Sequence, residues 1–436
     1  MTEFSIATGG WSDASGDRNP DIACRTNFSL CVVGHNLTRN VSLWTRAVED
    51  HVRLSVHPLA EWFISSWWRL LWEPAPFSVR PTAEWRMAHE MAAAGGGYVW
   101  PAVRFASDGQ AMRVSAKLFH DPDPQSVRYI EDLDDEYVDL AVFTAEVRRF
   151  LQTVADRVAD SGCESSLSEM WKQLQDEVAD PEMSQWRRIE AELGFDPDDA
   201  PHREVDLAIL VENRLGRATA SEVIPAFGQH RRGNRMDRCR EIIQSPGLDG
   251  KPEAIDDERS SLESDDKPWK RAYQDAQRLR KRLADPEQPV ETGVLCELLG
   301  MDRAKFEAYE APPRPPIGLA VAGDGGRYVF HPRKSLRFSA SRRYELARFI
   351  GDFASVGRGA GRSLASTDFR TARQAYQRAF AAELLCPAEG LRAVTKGYRG
   401  EEAREVAAAH YDVSQHVVAH HLANTRWTSF RSGQKF

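Results

Sequence analysis

The chain has 436 residues, 42% of them hydrophobic, and a formal net charge of −8. This length holds two to four domains and buries a sizeable core. The acidic balance argues against a protein whose whole surface binds nucleic acid, while leaving room for a local basic patch.

The N-terminus, MTEFSIATGGWSDASGDRNPD, lacks the basic start and the apolar core of a signal peptide. The apolar run FSLCVVG is too short to cross a membrane. Six cysteines lie scattered at positions 24, 31, 163, 239, 296 and 386 without a C-x-x-C pair. That pattern fits a reducing compartment and suggests neither a zinc ribbon nor a redox dithiol. A soluble, cytoplasmic protein with no membrane partner and no cofactor is expected.

Eight of the twelve tryptophans, Trp11, Trp44, Trp62, Trp67, Trp68, Trp72, Trp85 and Trp100, fall in the first hundred residues. HPLAEWFISSWWRLLWEP reads as one helix closed at Glu73-Pro74. PTAEWRMAHEMAAAGGG reads as a second, stopped by three glycines. YVWPAVRFASDGQAMRVSAKLF predicts two strands joined at Ser107-Asp108-Gly109. The stretches DDEYVDLAVFTAEVRRFLQTVADRVA and SSLSEMWKQLQDEVADPEMSQWRRIEAELG both read as helical. Most of the tryptophan rings belong to a core, and some would suit a partner-binding surface.

Further along, QSPGLDGKPEAIDDERSSLESDDKP is polar and acidic, with too few large apolar residues to order itself. A basic helix, WKRAYQDAQRLRKRLAD, follows, then a helix around VETGVLCELLGM and a proline-rich joint. IGLAVAGDGGRYVF predicts a hairpin, and RRYELARFIGDF and TARQAYQRAFAAELL predict the next two helices. The expected class is α+β, predominantly helical. Its plan is a Trp-rich mixed α/β domain over 1–165, a helical region over 166–243, an acidic flexible linker over 244–268 and a basic helical connector over 269–316. A C-terminal domain with a small sheet follows over 317–424, then a basic tail over 425–436.

That last domain resembles the ImmA/IrrE family of metallopeptidases over Ile317 to Asn424, about a quarter of the chain. RRYELARFIGDF falls on the family pattern R-F-x-L-A-H-E-L-G-H, and FAAELLCPAE on F-A-A-E-L-L-M-P. The resemblance implies a zincin-like fold with a small sheet and two metal-bearing helices. In H-E-x-x-H the two histidines share a helix face and hold zinc, and the Glu takes a proton from the bound water. This chain departs at each position. Arg348 stands for the first His, Phe349 for the general base, Asp352 for the second His and Gln374 for the third ligand. Arg348 and Asp352, four apart on a helix, are expected to pair and to fill part of the charge and volume of the metal. The domain then reads as an inactive pseudo-peptidase with no catalytic residue and no metal.

Other candidates are plainer. AHEM at Ala88–Met91 begins like a second zincin motif but has Ala at position 93, so a surface or interfacial His89-Glu90 is expected. His416 and His420 share a helix face and are the weak metal candidates, with a solvated face the simpler reading. Lys270, Arg271, Arg278, Arg280, Lys281 and Arg282, interleaved with Trp269 and Tyr273, are the candidates for nucleic-acid contact. Three functions follow. The first is a protein-binding pseudo-peptidase; active relatives typically cleave a repressor, which by analogy places it in a stress, toxin–antitoxin or phage-defence setting. The others are a DNA-associated regulator using the basic clusters, and a hydrolase with a site of another kind.

Overall fold

The computed structural model describes residues 4–12, 18–76, 80–118, 125–229, 235–252, 268–283, 285–310, 316–333, 339–356, 362–419 and 421–422. It is about 54% helix and 17% strand, a predominantly helical α+β fold with several small antiparallel sheets. Two compact units divide it: residues 1–205 with 228–232, and residues 206–227 with 233–436. Among the described residues, no helix is long and apolar enough to cross a membrane.

In the first unit, β1 (Phe4–Gly9) pairs antiparallel with β2 (Arg25–Val32), and β2 with β3 (Val52–Ser55). Along β2 the period of two turns Thr26, Phe28, Leu30 and Val32 inward. A second sheet joins β4 (Val103–Ser107), β5 (Ala111–Ala116) and β6 (Leu133–Asp139) in the order β6-β5-β4. The Trp-rich stretch forms two helices rather than one, α1 (His57–Ser65) and α2 (Trp67–Trp72), separated at Ser66. After α3 (Ala83–His89), the long α4 (Leu140–Ser161) is capped by Asp139, whose carboxylate accepts from the backbone N–H groups of Ala141 and Val142. It ends at Gly162 in the left-handed conformation. Its stripe of Phe143, Val147, Phe150, Leu151, Val154 and Val158 packs into one core with Phe4, Phe28, Phe63, Phe105 and Trp67.

Two expectations change here. The segment just before α4 is strand β6, not helix, because Val138 and Leu133 bury against β5 with the intervening acids outward. The first unit also runs past residue 165. Helix α5 (Leu167–Ala179) lays Leu167, Trp171 and Leu174 on the same core, and α6 (Pro181–Glu192) adds Ala191. Of the tryptophans, Trp62, Trp67, Trp68, Trp85 and Trp100 are buried, whereas Trp44 is 86% exposed.

The second unit holds a four-stranded antiparallel sheet of order β7-β9-β8-β10, with β7 Leu248–Gly250, β8 Gly318–Ala322, β9 Tyr328–His331 and β10 Leu364–Ser366. The β8–β9 hairpin turns through Gly325 and Gly326, both at positive φ. Strand β7 lies inside the stretch expected as a linker over 244–268. Leu248 is buried there, and a side chain at Gly250 would meet the Leu299 carbonyl at 2.7 Å, so the segment packs too closely to swing free. Residues 253–267, the rest of that stretch, lie outside the described residues. Its helices include α7 (Arg217–Val223), α8 (Pro268–Arg280), α9 (Thr292–Leu298), α10 (Ser339–Val356), α11 (Ala372–Leu385) and α12 (Gly400–Tyr411). Around Phe330, Phe349, Ile350, Phe380 and Leu384, helices α8 to α12 form a second core. A Cβ at Gly351 of α10 would come within 2.8 Å of the Phe380 ring of α11, so the absent side chain lets these two helices approach closely.

Candidate functional site

Helix α10 is buried on two faces. Leu346, Phe349, Ile350 and Phe353 face the core, with Phe349 edge-on to Phe330 at 5.4 Å. Glu345, Arg348 and Asp352 lie on another face and are 1%, 2% and 0% exposed. Charges at such burial persist only when partnered, and the partners come from α11, the chain around β10 and Arg333 after β9.

Asp352 accepts from Arg373 twice, Oδ1 from Nε and Oδ2 from Nη2, both at 2.7 Å. Its Oδ2 also accepts the backbone N–H of Ala365 at 3.0 Å. The Arg373 guanidinium continues to the Ala218 carbonyl on α7 at 2.9 Å. Burial works against the Arg373 charge, but the Asp352 carboxylate holds its pKa above the usual arginine value. The Arg348–Asp352 pair expected from helical spacing does not form. A second helix presents Arg373 as a planar fork with two parallel bonds, which an i, i+4 neighbour does not match.

Arg348 turns the other way. Its Nη2 donates to the Thr367 carbonyl at 2.8 Å and to Gln374 Oε1. Gln374 Oε1 also accepts the Thr367 N–H at 3.0 Å, and its Nε2 donates to the Ala365 carbonyl at 3.1 Å. Gln374 thus pairs with the backbone of β10 and the residue after it. Burial first, and Arg333 second, press the Arg348 pKa below the ordinary arginine value. Glu345 is clasped by Arg333 at 3.1 and 3.3 Å and accepts from Ser366 Oγ at 2.5 Å. A side chain at Gly318 would collide with that carboxylate, so glycine lets Glu345 pass against β8.

Arg348, Asp352 and Gln374 therefore come together between α10, α11 and β10, while Phe349 faces the core, and the set does not fit a zinc ion. A guanidinium has no lone pair to give, Phe349 takes no proton, the Asp352 oxygens are committed to Arg373 and Ala365, and the Gln374 oxygen is committed to Arg348 and Thr367. Among the described residues no group of three or more His, Cys, Asp or Glu side chains is placed to hold a metal ion.

The remaining candidates separate. His416 is exposed, and His420 lies outside the described residues. His421 is buried, with Nε2 3.0 Å from Glu383 Oε2 and Nδ1 3.2 Å from the Tyr273 hydroxyl. His89 is a core residue rather than a surface one. It is fully buried, stacks on Trp85 at 4.0 Å, and places Nδ1 2.8 Å from the Phe105 carbonyl and Nε2 3.1 Å from Glu73. On α8, Arg280 is no phosphate contact. It is 2% exposed and donates to the carbonyls of Pro286, Gln288 and Leu384. Arg278 pairs with Asp275, Arg271 lies over the Tyr376 ring and Lys270 over Trp269, while Lys281 and Arg282 are exposed.

Arg333, Glu345, Thr367, Asp368, Arg373 and Arg378 carry this site and were not singled out from the sequence. The available signal was adjacency: Arg373 precedes Gln374, and Glu345 lies one turn before Arg348. In comparisons with known proteins, no family model, curated protein or solved structure matches the chain.

Proposed function

We propose that the chain is a catalytically inactive, zincin-like pseudo-peptidase of ImmA/IrrE type that acts by binding a protein partner. The observation that supports this reading most is the set Arg348, Phe349, Asp352 and Gln374. These residues occupy the positions where the resemblance puts two histidines, a general base and a third ligand, and each is engaged in packing or hydrogen bonds that a metal would otherwise replace. A fold retained while its metal chemistry is replaced keeps its surface as its means of action. By analogy with relatives that cleave a repressor, the partner belongs to a regulatory or defence system, in the cytoplasm. The nucleic-acid alternative has less support, since Arg280 is buried and Arg278 is paired with Asp275.

The test is elemental analysis together with peptide turnover on the purified chain after mild chelation. No stoichiometric zinc and no chelator-sensitive hydrolysis are expected. One zinc per chain with turnover that a chelator abolishes overturns the proposal.

A further inference from the structure

The chain leaving β10 is held by three arginines on three successive residues. Arg348 of α10 donates to the Thr367 carbonyl at 2.8 Å, and Arg333, after β9, donates to Asp368 Oδ1 at 2.9 Å. Arg378 of α11 donates to the Phe369 carbonyl at 3.0 Å. Three elements thus bring guanidinium groups to one place. Two carboxylates answer them. Glu345 is enclosed by Arg333 and Ser366, whereas the Asp368 side chain is 57% exposed.

Arg348 is the unbalanced member. It is 2% exposed, its two hydrogen bonds go to neutral oxygens, and no carboxylate among the described residues forms an ion pair with it. Its Nε is buried with no acceptor, and the buried hydroxyl of Thr367, whose carbonyl accepts from Arg348, also has none. A buried cation without a direct ion pair is costly, and two orphan donors add to that cost. An acceptor-only group reaching this spot recovers both.

We propose that the cluster of Arg333, Arg348 and Arg378 is an anion-binding site that takes a carboxylate, an Asp or Glu side chain of a protein partner, in competition with the chain's own Asp368. Asp368 shows which chemistry suits the place: a carboxylate is already held there, on the side open to solvent. The planar arginine fork matches a carboxylate in two parallel bonds. The group already held there by Arg333 is a singly charged carboxylate, which favours a singly charged ligand over a doubly charged phosphate. The Asp368 pKa is held below the usual carboxylate value, against the effect of burial, by Arg333, Arg348 and Arg378, in keeping with their convergence on it. This deepens the reading above and rests on it only for the partner being a protein.

The experiment titrates the full chain with N-acetyl-glutamate methylamide, with its glutamine counterpart and with inorganic phosphate, followed by calorimetry. The glutamate probe is expected to bind and the glutamine probe not. D368N changes an exposed side chain and removes the internal competitor, so it is expected to tighten the glutamate probe about tenfold, the scale of one charge-assisted hydrogen bond. R348Q is expected to lose the probe, both alone and combined with D368N. Should R348Q fail to fold by circular dichroism, R378Q serves in its place, with weakened binding expected. The site is refuted by an affinity that D368N leaves unchanged, by binding that survives R348Q in a folded protein, or by no binding to either parent or D368N. Phosphate binding more tightly than the glutamate probe in D368N overturns the carboxylate assignment. Zinc-dependent hydrolysis sinks the pseudo-peptidase reading and leaves these titrations as they stand, so the two failures are distinguishable.

Discussion

Replacing Asp352 with Ala tests how the site is held together. The Asp352 carboxylate is fully buried and the Arg373 side chain is 8% exposed, joined by two bonds of 2.7 Å. Removing one partner of a buried pair leaves the other charge uncompensated, at a cost of about 3–5 kcal/mol. The Ala365 N–H loses its acceptor as well, which loosens β10 at the sheet edge. For a unit of this size ~1 kcal/mol moves the melting midpoint by ~2–4 °C, so the second unit should melt roughly 6–20 °C lower. Thermal unfolding of the full chain, followed by circular dichroism, reads the shift. Asp352→Leu combined with Arg373→Met removes both charges and should recover most of the loss, because an apolar pair of similar volume carries no desolvation cost. A single substitution that melts within ~2 °C of the parent, or a double that is worse than the single, refutes the reasoning.

Other outcomes follow from the same geometry. His331 is 2% exposed, and burial pushes its pKa down to about 4 from 6.5. With the folded value below the unfolded one, its contribution is fully present above the unfolded pKa and is lost as pH falls from about 6.5 towards 4. The loss approaches ~3 kcal/mol. His331→Gln should flatten that part of the urea-unfolding profile. Arg280→Ala removes the donor to three carbonyls and should cost at least ~3 kcal/mol, while Lys281→Ala and Arg282→Ala stay within ~0.5 kcal/mol by denaturant titration. Trp44→Ala, at an 86% exposed position, should leave stability within ~0.5 kcal/mol, whereas Trp67→Ala in the first core should cost ~3–5 kcal/mol.

What the sequence by itself determined is whatever a few neighbouring residues decide. The apolar stripe of α4 specifies a long helix, and the glycines of GDGG specify the β8–β9 hairpin, because periodicity and backbone freedom act within a few residues. The same holds for α10 and α11, whose apolar residues and N-cap (Thr371 for α11) are local features. Tertiary packing decided the partners. Spacing alone allowed Arg348 to meet Asp352, but the close crossing at Gly351 brings Arg373 of α11 to Asp352 with better geometry, and Arg348 turns to Gln374 and Thr367. Leu248–Gly250 became a strand because β9 offers it an edge, although its own composition is that of a linker. Arg280 was read from sequence as a candidate nucleic-acid contact. It is buried because carbonyls of residues 8 and 104 positions away are folded against it. Partner choice between charges depends on distance in space and on desolvation, and neither is written in the spacing of residues along one helix.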